Sequence, residues 1–200
     1  VLISAAVNFF HGSLPTNLGL TLPNLQKLGL AGTQFSGSFP TSITNASGLE
    51  ILDLPDNEFE GQVPANFGVL SKLQRLSLAG NLLGSNSAGD LGFITSLRNC
   101  SNLKVLWLAR NNFGGEIPKI MANLSHRLTE LVIAENKLSG PIPEGFGSSG
   151  NLYYLDASLN SLSGVMPSDF GEFQNLQLLA LHGNWLSGAI LPTLCNVSTL

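Results

Sequence analysis

The chain has 200 residues, 44% of them hydrophobic but only 11% charged, where soluble domains usually carry roughly 25% charge, and it contains 22 glycines. A net charge of -4 with no cluster of Lys and Arg offers no field for a phosphate backbone, which argues against nucleic acid as a partner. No apolar run approaches the roughly 18 to 20 residues that cross a bilayer, so this segment is expected to make no membrane contact itself.

Taken in chain order, the row is a repeat. A partial copy enters at Val1, and from Leu25 the wording is L-x-x-L-x-L-x-x-(N/T)-x-(L/F)-x-G-x-(I/V/F)-P. It returns at Leu49, Leu103, Leu128, Leu152 and Leu176, and loses its Gly and Pro only at Leu73. One column sets the period: Asn8, Thr33, Asn57, Asn81, Asn111, Asn136, Asn160 and Asn184, at steps of 25, 24, 24, 30, 25, 24 and 24. Eight coils of about 24 residues follow, one array over residues 1–200, with Leu200 where a ninth would begin and no cap at either end.

In each coil the L-x-L core, such as Leu52 to Leu54, alternates inward and outward as a short strand does. Stacking places these strands about 4.8 Å apart as a parallel sheet on the concave side of a right-handed solenoid of α/β type. The Asn column is expected to bond the backbone of the coils on either side, because an amide both donates and accepts; Thr33 is a weaker substitute.

The fourth coil is six residues over length, and an irregular surface insertion is expected at about 84–92. Cys100 and Cys195 end the fourth and eighth coils, roughly 19 Å apart by strand spacing. That is too far for a disulfide, and both read as small buried apolar residues. A G-x-G-x-x-G match at Gly145, Gly147 and Gly150 precedes a strand instead of following one, so it reads as accidental. His11, His126 and His182 fall in different phases with no metal-ligand spacing, no nucleophile has its base in register, and neither cofactor nor catalysis is expected of the segment.

Four N-x-(S/T) sequons at Asn45, Asn99, Asn123 and Asn196 are candidate glycosylation sites. Three lie 12 residues past their column position, and Asn99 does so once the insertion is removed, so all four share one edge. Other coils are read as filling this phase with Gly68, Gly147 or Gly171. For recognition, the outward positions of the L-x-L cores run Gly29, Asp53, Ser77, Trp107, Val132, Asp156 and Ala180. Two places earlier come Lys27, Ile51, Arg75, Val105, Glu130, Tyr154 and Leu178, and beyond the core Arg110, Glu135 and His182. Trp107, Glu130, Tyr154 and Asp156 thus gather on three successive coils, and with Asp53, Arg75, Arg110 and His182 they form the candidate ligand surface.

The G-x-I-P element, at Gly115 to Pro118, Gly140 to Pro143 and, with Met, Gly164 to Pro167, resembles the plant-specific class of leucine-rich repeats across the whole chain. That resemblance implies a second sheet. The F-I-T-S-L-x-N-C-S-N-L wording between Asp90 and Leu103 is similar to a subfamily of plant receptor-like serine/threonine kinases that includes sensors of flagellin and elongation factor and immune receptors of grasses. It implies the extracellular side of the plasma membrane, a peptide or protein ligand, a co-receptor kinase as partner, signalling in immunity or development, and a kinase encoded outside this segment. A secreted or membrane-anchored repeat protein without a kinase, such as an inhibitor of pathogen cell-wall enzymes, is the alternative.

Overall fold

The computed structural model describes all 200 residues. Eight short strands, Leu2–Ser4, Lys27–Gly29, Ile51–Asp53, Arg75–Ser77, Val105–Trp107, Glu130–Val132, Tyr154–Asp156 and Leu178–Ala180, form one parallel sheet in chain order. Equivalent residues of successive coils face each other, so Leu28, Leu52, Leu76, Leu106, Leu131 and Leu155 make one inward column, each at most 2% exposed. The strands open one residue before the L-x-L reading. The second Leu of each core already leaves the strand toward the Asn column, although its amide still reaches the next coil, as from Leu54 N to Ser77 O at 2.9 Å.

On the opposite side of each coil the chain closes through a short helical turn, such as Thr41–Asn45 or Lys119–Asn123. Phe59, Phe67, Phe93, Phe113, Phe146 and Phe170 fill the space between these turns and the sheet, and the core runs unbroken from Leu14 to Val197. Stacking is what gives each coil this interior, because a single coil leaves its apolar side chains open on both faces.

A second layer of strands flanks the first, and it is interrupted. His11–Ser13, Gln34–Ser38, Glu58–Gly61 and Leu82–Leu83 form one four-stranded sheet; Gly114–Glu116, Lys137–Pro141, Ser161–Val165 and Trp185–Ser187 form another. The break coincides with the insertion. Instead of pairing forward, the chain after Leu83 loops out and lies against Gly114 and Gly115, where a Cβ on Gly115 would come 2.7 Å from Ala88 Cα. Asp90, 1% exposed, organises this loop. Its Oδ2 accepts the amides of Ser85, Ser87 and Gly114 at 2.9 to 3.0 Å, and its Oδ1 accepts Gln62 Nε2 at 2.8 Å and the hydroxyls of Ser85 and Ser87. Burial pushes the Asp90 carboxyl pKa up, but the donors from Gln62, Ser87, Ser85 and Gly114 outweigh it and hold the group far below the usual carboxylate range.

The Asn ladder runs one way. Asn136 donates to Leu108 O of the preceding coil at 3.1 Å and to Ile133 O of its own at 3.2 Å, while its Oδ1 accepts Phe113 N of the preceding coil at 3.1 Å. Asn57, Asn81, Asn111, Asn160 and Asn184 repeat this pattern. Each therefore reaches back one coil, not to both sides as the sequence reading has it: the amide lies at the start of its turn, beside the carbonyl and amide of the coil before. Thr33, with one hydroxyl, donates only within its coil and to Asn57 Oδ1.

Cys100 is buried, and apolar surroundings push its thiol up to about 11. Cys195 corrects the reading of both cysteines as buried. It is exposed, in the helical turn Pro192–Asn196 of coil eight.

Candidate functional site

The sequence places Trp107, Glu130, Tyr154 and Asp156 on adjoining coils, and the strand register brings them together. Val132 faces Trp107 on one side and Asp156 on the other, and Glu130 faces Tyr154. Just past the strands, Ala79, Ala109 and Ala134 stack in a column against which Trp107 and Val132 pack. Small residues there leave a hollow of about 210 Å³ lined by Ala79, Trp107, Ala109, Arg110, Val132 and Tyr154. Tyr154 also walls a second hollow of about 320 Å³, shared with Tyr153, Gln177 and Leu178. The result is an apolar track on the open face of the long sheet, running from coil four to coil eight.

Two arginines beside this track are already paired with carboxylates. Arg75 Nε lies 3.2 Å from Asp53 Oδ1, and its guanidinium carbon stands 4.3 Å from the centre of the Trp107 ring. The stack spans coils three to five and covers Ser77, which is fully buried despite its outward position. The Ser77 hydroxyl and the Trp107 indole N–H are buried there without a hydrogen-bond partner. Such orphaned groups cost about 1–3 kcal/mol each.

Arg110 reaches over coil four to Asp56, Nη2 to Oδ1 at 2.8 Å. Gly80 makes this possible, because a Cβ there would stand 2.4 Å from Asp56 Oδ1. Val7, Gly32, Asp56, Gly80, Arg110, Glu135, Leu159 and Gly183, the residues before the Asn column, all have positive φ between 52° and 67°. This turn is therefore imposed by the fold whatever the side chain. His182 does not belong with Arg110 and Glu135 as the sequence reading groups it; Gly183 fills their column, and His182 stands one place earlier, in line with the alanines, on coil eight and outside the cluster.

Glu130 accepts a hydrogen bond from the hydroxyl of Tyr153, a residue the sequence reading passes over because it precedes the outward columns. That bond raises the Tyr153 hydroxyl above its ordinary pKa. Tyr154 is raised as well, by partial burial first and then by the Asp156 and Glu130 carboxylates. Asp156 Oδ1 accepts from Ser158 N at 3.0 Å and Ser158 Oγ at 2.6 Å. Both tyrosines thus remain neutral donors beside anchored carboxylates. This suits recognition of a polar backbone with apolar side chains.

The glycines of the G-x-G-x-x-G match serve the stacking of coils, since Gly145 N and Gly147 N both donate to Asp169 Oδ2 of the next coil, at 2.9 and 2.6 Å. Asn45, Asn99, Asn123 and Asn196 are all exposed. Gly68, Gly147 and Gly171, read as fillers of the sequon phase, lie one residue before it and permit close approach, since a Cβ at Gly147 would fall 1.8 Å from Asp169 O.

Comparison with known proteins points one way. The leucine rich repeat family matches residues 23–83 and, in a second form of the repeat, 102–124, 127–149 and 151–173, together more than half of the chain. The LRR receptor-like serine/threonine-protein kinase EFR of Arabidopsis thaliana is 42% identical over 73 residues, 36% of this chain and 7% of that protein. The plant peptide hormone receptor RGFR1, solved in complex with RGF2, superposes on 100% of this chain and 31% of its own with a TM-score of 0.91 and 30% identity. The Arabidopsis receptor kinase HAESA, solved with the peptide hormone IDA and the co-receptor SERK1, covers 98% of this chain and 31% of its own with a TM-score of 0.86 and 33% identity. The present chain thus spans under a third of each of these three chains.

Proposed function

Since the chain belongs to the leucine-rich repeat family, we propose that it is part of the ligand-recognition ectodomain of a plant receptor-like kinase, binding an extended peptide along the open face of the long sheet. One observation carries this reading: the apolar track of Trp107, Val132, Tyr154 and Leu178, its hollows bordered by neutral tyrosine hydroxyls and paired charges. A peptide laid across the strands would seat small apolar side chains in the two hollows and offer backbone groups to Tyr154 and Asp156. Complexes of similar receptors with peptide hormones, one including a co-receptor, support the partner class. In this reading the parent protein lies at the plasma membrane, with this segment outside and a serine/threonine kinase encoded beyond it.

The binding claim is tested with a random peptide library displayed on phage and selected against the chain. Buried aromatics at such surfaces contribute about 2 kcal/mol or more each, so Trp107→Ala with Tyr154→Ala should weaken a selected peptide by well over tenfold. Undiminished affinity in a folded double variant would remove the track as the site. The kinase claim is tested by reading the transcript past Leu200: a membrane span followed by kinase motifs supports it, and a stop soon after a terminal cap replaces it with a secreted binding protein.

A further inference from the structure

The four sequon asparagines occupy one place in the coil. Asn45, Asn123 and Asn196 each end a helical turn, Thr41–Asn45, Lys119–Asn123 and Pro192–Asn196, and Asn99 follows the turn Ile94–Leu97 by two residues. All are exposed, on the flank where the chain returns to the long sheet, whereas the second-layer strands occupy the flank where it leaves. Asn123 is set apart by its surroundings. A polar furrow of about 430 Å³ opens on one side of it, between Ser125 and His126 of its own coil and Ser148, Ser149 and Asn151 of the next. A second furrow, of about 350 Å³ and floored by Ile120 with Arg98 and Ser101 at its rim, opens on the other. In the first furrow, hydroxyl, amide and imidazole groups beside the apolar surface of Ala122 match a sugar ring, which has polar edges and an apolar face.

We propose that, on a chain whose sequon asparagines carry N-linked glycans as a ledge along this flank, the core N-acetylglucosamine units on Asn123 lie docked in the furrow between Ser125, His126, Ser148, Ser149 and Asn151 instead of projecting freely. In the transfer step the Asn123 amide nitrogen bonds to C1 of the first sugar and loses a proton. The bond from C1 to a lipid-linked pyrophosphate breaks, and the pyrophosphate leaves with its electron pair. The ledge leaves the long sheet's open face and the interrupted second layer uncovered. This rests on the extracellular part of the reading above, because the sugar donor is met only in the secretory pathway.

The test supplies that pathway directly: the chain is expressed behind a secretion signal in plant cells, and glycan occupancy is read by glycosidase-sensitive mass in whole lysate, where folding is not required. Glycans on Asn123 and at least one other sequon, lost in the corresponding Asn→Gln variants, are expected; a bare polypeptide overturns the ledge while leaving peptide binding to be judged by its own assay. Docking is read on the secreted protein by comparing enzymatic glycan release under native conditions. Release from Asn123 should be slower than from Asn45 by on the order of tenfold, the factor that about 1.4 kcal/mol of protection supplies. Ser148→Trp, which fills the furrow, should abolish the lag, and both sites should release alike after denaturation. Equal native rates at Asn123 and Asn45, or a lag unchanged in Ser148→Trp, would overturn the docked arrangement.

Discussion

Replacing Asn136 with Ala isolates what one rung of the ladder contributes. The side chain is buried and makes bonds to Leu108 O, Ile133 O and Ala134 O, and one from Phe113 N. The carbonyls do not become orphans, because Leu108 O also accepts from Asn111, Ile133 O from Asn160, and Ala134 O from Arg110 N. Phe113 N has no such second partner, and its residue is buried. The expected loss is therefore one stranded amide, about 1–3 kcal/mol, plus a net of about 1 kcal/mol for the lost bonds, in total roughly 2–4 kcal/mol. Urea denaturation of the chain and its variant gives the total, and native-state hydrogen exchange locates it. The Phe113 amide should lose protection far more than Phe59 N, which is held by Asn81 in a part of the solenoid that the change does not touch. An unchanged urea midpoint with Phe113 still protected would refute the reasoning that the ladder, and not apolar stacking alone, fastens coil to coil.

Two further outcomes follow from the same accounting. Thr33→Asn should stabilise the first two coils by about 0.5–1.5 kcal/mol, because by the ladder's register an amide there meets Ala5 O and Phe10 N; a lower unfolding midpoint would contradict this. Asp90→Asn replaces a charged acceptor with a neutral amide, whose NH₂ must face either three backbone N–H donors or Gln62 Nε2 and two serine hydroxyls, and should release the loop at a cost of about 2–4 kcal/mol, read as lost protection at Ser87 N and Gly114 N. Since the folded carboxyl pKa is depressed, the wild-type contribution is complete above the unfolded value near 3.9 and disappears only as pH falls toward the folded one; loosening of the loop already at pH 5 would show the assignment to be wrong.

The sequence made the long sheet legible because its period is exposed twice, by leucines at fixed intervals and by a polar residue that only a repeated turn explains. The outward residues around Trp107 followed from that register alone. What remained hidden depends on contacts between coils. Nothing in the spacing marks the second layer, whose strands are built around glycines such as Gly140 at φ 74°, and only the family resemblance implied it. The pairing of Arg75 with both Asp53 and Trp107 needs side-chain reach that columns do not encode, and it turned three candidate ligand contacts into partners of one another. Asp90 was visible in hindsight as a lone carboxylate closing a Ser-Asn-Ser stretch, a pattern suited to capturing backbone amides.

The backward direction of the Asn ladder bears on how the chain is made. Each coil carries its own fastener, and what it fastens to lies earlier in the sequence. During synthesis the N-terminal part is released first. A newly emerged coil therefore meets its docking groups already in place and can close upon them at once, without waiting for residues still inside the ribosome. The same polarity makes the coil a self-sufficient unit of duplication: a copied segment brings the means of attaching itself to whatever precedes it, and presents the unchanged carbonyl and amide to whatever comes after.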